Sequence, residues 1–232
     1  MIVAVTHPFD KQSKSRTSLH LAQKMAHDGH RVLLIDLTCN SFLTRELGFQ
    51  HLTRSMLDVM DGSIALDDII IGRENYAFAP AGFTLKLIDI SLGWSSDRNL
   101  RLKAALNDLE TEFDAIIIDC DSSFSFLTIN ALTACDIAVL PAFSEQNLNN
   151  AATAIHLLGC EEIMEQKAHR IDNTTDVFSQ LSEQLNSGRK LLILEQPIWT
   201  QNYLLPKFAT IAEEDLPPVA TENLQDFTLY LN

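Results

Sequence analysis

Five short apolar runs set the limits on what this chain can fold into. They are IVAV at 2–5, RVLLID at 31–36, AIIID at 115–119, IAVLP at 137–141 and KLLILE at 190–195, all rich in Ile, Val and Leu. None alternates with polar residues, which is the pattern of strands buried on both faces of a parallel sheet. A weaker run, YAFAPAG at 76–82, adds a candidate strand. Helix-like stretches lie between them. Ser15 to Asp28 is followed by Gly29 as a stop signal, and Asp97 to Glu112 carries Leu100, Leu102, Ala105, Leu106 and Leu109. Further stretches run over Phe124 to Ala134, Ser144 to Gln166 and Thr174 to Asn186. This alternation predicts an α/β fold, a doubly wound, mostly parallel sheet flanked by helices. With 232 residues, 46% of them hydrophobic, and no repeat or low-complexity linker, the chain reads as a single domain over 1–232.

In such sheets ligands gather beyond the carboxyl ends of the strands. The segments leaving those ends are Thr6 to Lys14, Asp36 to Asn40, Asp119 to Ser123 and Pro141 to Gln146. The first lies where a phosphate-binding loop belongs, and residues 6–25, THPFDKQSKSRTSLHLAQKM, contain no glycine. The phosphate-loop spacing G-x-x-x-x-G-K-[ST] falls on Pro8 to Ser15. Lys14 is then the residue that reaches phosphate oxygens, and Ser15 offers a hydroxyl to Mg²⁺. Pro8 and Ser13 replace the two glycines, although such a loop turns through positive φ and passes close to phosphate. A serine-lysine-serine sequence ahead of a helix is also an ordinary N-cap. Asp36 and Asp119, at strand ends, either position a metal or cap helices and contact Lys14. Asp121 beside Asp119 is a second carboxylate, best read as a solvated turn residue, and His7 reads as a polar loop histidine.

Charge narrows the partners. The net charge is −14, yet residues 1–60 hold seven Lys/Arg against five Asp/Glu, with Lys11, Lys14 and Arg16 gathered at the opening loop. Residues 161–232 hold five basic against twelve acidic residues, which disfavours non-specific DNA binding from that end. The four cysteines, Cys39, Cys120, Cys135 and Cys160, form no C-x-x-C pair and read as buried thiols in a reducing cytoplasm. No apolar run is long enough to cross a bilayer. Trp94 and Trp199 read as packing residues, with partner anchoring as the alternative.

Taken together, the first loop, HRVLLIDLTCNSFLTRELG, APAGFTLKLIDISL and FDAIIIDCDSSFSFLTINALTACDIAVLP resemble the ParA/MinD family of deviant Walker-A P-loop ATPases, on its ParA and Soj side. The resemblance is strongest over 1–158, and 159–232 is shortened and divergent. It implies that Lys14 is the phosphate-loop lysine, Ser15 the Mg²⁺ hydroxyl, Asp36 the aspartate ending the second strand and Asp119 the Walker-B aspartate. Ser13 and Lys11 complete the implied nucleotide contacts. The departures count equally. The family's signature lysine, which reaches across a nucleotide-sandwich dimer, corresponds to Phe9, and the loop glycines correspond to Pro8, Asp10, Lys11 and Ser13. The family's water-positioning aspartate corresponds to Thr38.

The resemblance therefore implies a partition or positioning protein with protein partners, a possible nucleotide-independent homodimer, weak or absent DNA binding and no membrane docking. The departures favour a degenerate, non-hydrolysing or weakly nucleotide-binding interaction module. The alternative is an active Mg-ATP-dependent switch using a rearranged loop, with Asp36 and Asp119 in the catalytic and Mg²⁺ roles. An amidoligase-type enzyme is a third class, and the sequence supplies no substrate residues for it.

Overall fold

A computed structural model describes residues 1–7, 12–49, 51–82, 85, 88, 97–123, 125–141, 176–188 and 191–194. These lie within one unit, Met1–Trp199; a second unit, Thr200–Asn232, lies outside the described residues. So do Pro8, Phe9, Asp10 and Lys11 of the opening loop, the stretch expected as a helix at 144–166, residues 142–146, and Trp94, Trp199 and Cys160.

The apolar runs become a sheet. Its strands are β1 Ile2–Val5, β2 Val32–Leu37, β3 Ile71–Gly72, β4 Ala77–Ala79, β5 Ala115–Cys120, β6 Ile137–Pro141 and β7 Leu191–Leu194, in the spatial order β3-β4-β2-β5-β1-β6-β7. Every pairing is parallel except β3 with β4. Among the described residues the helices are α1 Gln12–His27, α2 Phe42–Glu46, α3 Met56–Asp61, α4 Arg101–Asn107, α5 Phe126–Ala134 and α6 Val177–Asn186. The doubly wound, mostly parallel sheet read from the sequence is the fold observed.

The continuous apolar runs serve two layers at once, because successive side chains leave a strand on opposite faces. Leu33, Ile35 and Leu37 of β2 and Ile116, Ile118 and Cys120 of β5 join one core with Met56, Met60, Leu102 and Leu127 from α3, α4 and α5. The intervening residues Leu34, Asp36, Ile117 and Asp119 therefore face the opposite layer, where α1 lies against β1, β2, β5 and β6. Asp36 and Asp119 are register partners at the carboxyl ends of β2 and β5. The same alternation that fills the core delivers both carboxylates to the α1 side.

Helix α1 is enclosed on nearly every side, with Leu19, Leu21, Ala22 and Met25 at zero exposure. It stops where the sequence predicts. Gly29 takes φ +96°, and the Gly29 and His30 N–H groups donate to the carbonyls of Ala26 and Met25.

The chain departs from sequence expectation in three places. The stretch 97–112 forms a helix only over Arg101–Asn107. Beyond it, the Asp67 carboxylate accepts the N–H groups of Glu110 (2.9 Å) and Thr111 (3.1 Å), drawing that backbone out of the helix. Between β2 and β4, two short helices, a 3₁₀ turn at Leu66–Ile69 and the two-residue β3 stand where the sequence shows no periodic signal. His7 lies in the loop two residues after β1, as read, but is fully buried there instead of facing solvent.

Candidate functional site

Lys14 is the third residue of α1 and Ser15 the fourth. Ordinarily a lysine near a helix start keeps its ammonium in water. Here Lys14 is 1% exposed, and its Nζ lies 3.3 Å from Oδ1 of Asp119, itself at zero exposure. The basic patch expected of Lys14 with its neighbours is thus not a surface feature at this residue; its charge is turned inward. Ser18, one helical turn after Lys14, donates its hydroxyl to the Lys14 carbonyl (3.0 Å) and to Asp119 Oδ1 (3.3 Å). The sequence reading missed Ser18, although its i+4 spacing from Lys14 is a usable signal.

Asp119 is the electrostatic centre. Burial pushes its carboxyl up to about 6, and neighbouring Asp36 pushes in the same direction. Lys14 and the Ser15 hydroxyl oppose them by favouring the ionised form. Its second oxygen, Oδ2, is buried with no hydrogen-bond partner among the described residues. An unsatisfied buried carboxylate oxygen is costly unless a ligand completes it. A hard cation suits it, since Mg²⁺ takes one or two carboxylates or hydroxyls and completes its shell with water and phosphate. The donor set of Ser15 and Asp119, with Lys14 for phosphate, therefore fits the implied Mg²⁺ and nucleotide. No acidic residue stands in the first turn of α1, and the positive end of a helix dipole favours an anion.

Asp36 is placed differently. Its Oδ1 accepts from the Thr38 N–H (3.1 Å) and the Thr38 hydroxyl (2.6 Å). Its Oδ2 accepts from the Thr44 N–H (2.9 Å) and the Thr44 hydroxyl (2.8 Å). Burial raises its pKa despite these four donors. The carboxylate caps the start of α2 and closes the turn after β2, so both oxygens are already engaged. The Thr44 hydroxyl in turn accepts the Ala81 N–H at 2.8 Å, and Ser41, at φ 50°, donates to the Gly82 carbonyl at 3.1 Å. Thr44 was not singled out by sequence reasoning. Thr38, read as a loss, sits directly on Asp36.

Asp121 accepts the Cys39 N–H at 3.1 Å and the Ser123 hydroxyl, tying the β2 and β5 end loops together. Among the described residues no three His, Cys, Asp or Glu side chains form a metal-binding group. The structure thus brings Lys14, Ser15, Asp36 and Asp119 to one end of the sheet. Ser13 is half-buried in the first turn of α1, its carbonyl accepting from Thr17 at 2.7 Å, and Lys11 lies outside the described residues. No helix among the described residues is long and apolar enough to cross a membrane.

A parallel sheet with a buried lysine and serine opening the first helix, facing an aspartate at the end of an inner strand, defines a P-loop NTPase-like protein. The AAA domain family model matches residues 2–175. The chain is 36% identical over 148 residues to the sporulation initiation inhibitor protein Soj of Bacillus subtilis, covering 62% of this chain and 58% of Soj. It is 26% identical over 215 residues to the cell division protein PomZ of Myxococcus xanthus, covering 88% of this chain and 67% of PomZ. The match thus spans a little over half of Soj and about two thirds of PomZ. Among solved structures, a cobyrinic acid a,c-diamide synthase from Mycobacterium smegmatis with bound ADP and magnesium superposes with a TM-score of 0.66 at 22% identity, covering 82% of this chain and 97% of that one. A plasmid partition protein from Borrelia burgdorferi bound to AMPPNP gives 0.61 at 18% identity, covering 83% of each chain. The chain belongs to the ParA/MinD family of AAA-domain proteins.

Proposed function

We propose that this chain is a ParA-type partition or positioning module of the cytoplasm, acting as a single ParA-like domain, that binds Mg-nucleotide weakly and does not hydrolyse it. One observation carries the second half. Thr38 stands where the family resemblance expects the water-positioning aspartate, and its hydroxyl proton is committed to Asp36 at 2.6 Å. A neutral hydroxyl held in that bond supplies no carboxylate for a nucleophilic water, and phosphoryl transfer depends on such positioning. The loop without glycine in residues 6–25 supports weak binding. Lys14 would meet the phosphates, and Ser15 and Asp119 would hold Mg²⁺, whose bound charge would neutralise phosphate oxygens. Asp36 would hold the turn that carries Thr38.

Soj and PomZ are named for sporulation and cell division, so the partners of this chain are taken to be proteins of a positioning or partition system. With Phe9 in place of the signature lysine, any homodimer forms without nucleotide, and the acidic 161–232 segment keeps DNA binding weak. An active switch is the second reading, and the retained Lys14, Ser15 and Asp119 cluster favours it. Calorimetric titration with ATP and Mg²⁺, beside Lys14→Ala and a phosphate-release assay, separates the two. Binding lost in Lys14→Ala with no turnover supports the module. Sustained turnover by the wild type overturns it.

A further inference from the structure

We propose that the groove between α3 and α4 docks a helix of a partner protein, one that sets an acidic side chain against Arg101, a basic one against Asp108 and apolar side chains between them. The inference rests on reading this chain as a module for protein partners, and it adds where one is held and by what pattern.

The groove belongs to the layer of the sheet opposite α1. Its volume is about 370 Å³, and among the described residues Val59, Ile64 and Leu66 form one apolar wall and Ala104 and Ala105 of α4 the other. Arg101 and Asp108 are the charged residues among them. The spacing of 101, 104, 105 and 108 puts these residues on one helical face, with the two charges about 10 Å apart along the axis. The inner face of α4 is fixed. Leu102 is fully buried, and its N–H donates to Asn130 Oδ1 of α5 at 3.1 Å, so the outward face is held in place.

Two observations set the occupant. First, the charges oppose the dipole of α4 itself, with a base on its first residue and an acid on its C-cap. Local stability would place them the other way round, and a broken local rule with no local gain marks function. Arg101 is oriented by Asp97 at 3.1 Å, and Gly62 leaves it room, since a Cβ there would lie 3.2 Å from Nη1. The neighbouring carboxylates Asp61, Asp67 and Asp68 are turned onto the N–H groups of Ser63, Thr111 and Ala65. The Asp108 carboxylate has no such bond among the described residues. Second, the apolar surface continues past the groove. Leu100, one turn before Ala104, is 50% exposed. A small molecule in the groove would leave Leu100 bare, whereas a helix lying along α4 covers it, and the alanines let the two backbones come close. Running parallel to α4, such a helix meets Arg101 with an acid and, two turns on, Asp108 with a base. That order also suits the incoming helix's own dipole. The carboxylates around the groove repel a nucleic acid or an anionic bilayer.

The test pans a phage-displayed library of short helical peptides on the full chain, after depletion on Ala104→Trp, which plugs the groove from an exposed position. Enriched peptides should carry an acid and a base seven positions apart with apolar residues between. With a synthetic copy, fluorescence anisotropy should show Arg101→Glu and Asp108→Lys each weakening binding about tenfold. Reversing the matching charge in the peptide should restore it, which a merely structural role would not do. Circular dichroism checks that each variant is folded. Peptides that bind the wild type and Ala104→Trp alike overturn the groove, as does a library with no binder to the wild type. Groove-dependent peptides without the charge pattern, or without the rescue, overturn the proposal as well. Each of these leaves the partner reading standing, since it concerns one face. That reading falls separately if crosslinking in the native cell yields no protein partner.

Discussion

The hydroxyl of Thr44 is the test of how far the turn after β2 depends on Asp36. Thr44 is 2% exposed, and its Oγ1 both donates to Asp36 and accepts from the Ala81 N–H, each at 2.8 Å. Thr44→Val keeps the shape and removes both bonds. Losing a hydrogen bond to an ionised partner costs about 1.5–3 kcal/mol, and leaving the Ala81 donor unpaired costs about 1–3 kcal/mol. The Thr44 N–H stays on Asp36 and offsets part of this, so a net loss of about 3 kcal/mol is expected. In a chain of this length that is a fall of roughly 6–12 °C in Tm. Thr44→Ser is the control, since it retains the hydroxyl and gives up one methyl, about 1 kcal/mol. Urea unfolding followed by circular dichroism gives both values. A Thr44→Val protein within about 0.5 kcal/mol of Thr44→Ser would refute the argument, because the hydroxyl would then hold neither Asp36 nor the β4 loop.

Two buried groups should pull pH stability in opposite directions. Burial and, after it, Arg16 lower the His20 pKa from 6.5 to about 4, so its contribution is lost as pH falls from 6.5 to 4. Relative to His20→Gln, the wild type should lose about 3 kcal/mol over that window in chemical unfolding. Asp119 is raised from 3.8 to about 6, so the folded state holds its proton longer and stability falls as pH rises through that interval. Asp119→Asn should gain about 3 kcal/mol on the wild type between pH 4 and 7, measured the same way. Gly82→Ala should destabilise by more than about 1 kcal/mol, because a Cβ there meets Ser55 Oγ and lies 3.2 Å from Ser55 Cβ at the start of α3. Thermal unfolding checks this, and an unchanged Tm would contradict it.

The sheet was legible because a strand buried on both faces needs an unbroken Ile, Val and Leu run, and few other structures use one. Asp36 and Asp119 could be found as the polar residues ending such runs, and Lys14 and Ser15 by their place at the head of α1. The pairing was less legible. Whether Asp36 faces a metal or clamps a turn depends on Thr38, two residues on, and on Thr44, whose hydroxyl reaches Asp36 only once α2 has formed. The short elements between β2 and β4 escaped because a five- or six-residue helix completes too little periodicity to read. The capping of α3 by Ser55 and Asp58 was written in the sequence but is local, and nothing nearby marked a core face. The shortened α4 shows the reverse, an apolar period that continues after a carboxylate elsewhere, Asp67, has taken the backbone.

The antiparallel strand β3, two residues long, is the outermost on its side of the sheet among the described residues. Arg73 N–H closes it onto the Tyr76 carbonyl at 2.8 Å in a tight hairpin. A border this short offers an incoming chain almost no row of donors and acceptors to copy. Two copies of the chain meeting at that border would therefore find almost nothing to pair with, which disfavours edge-to-edge fusion of their sheets there.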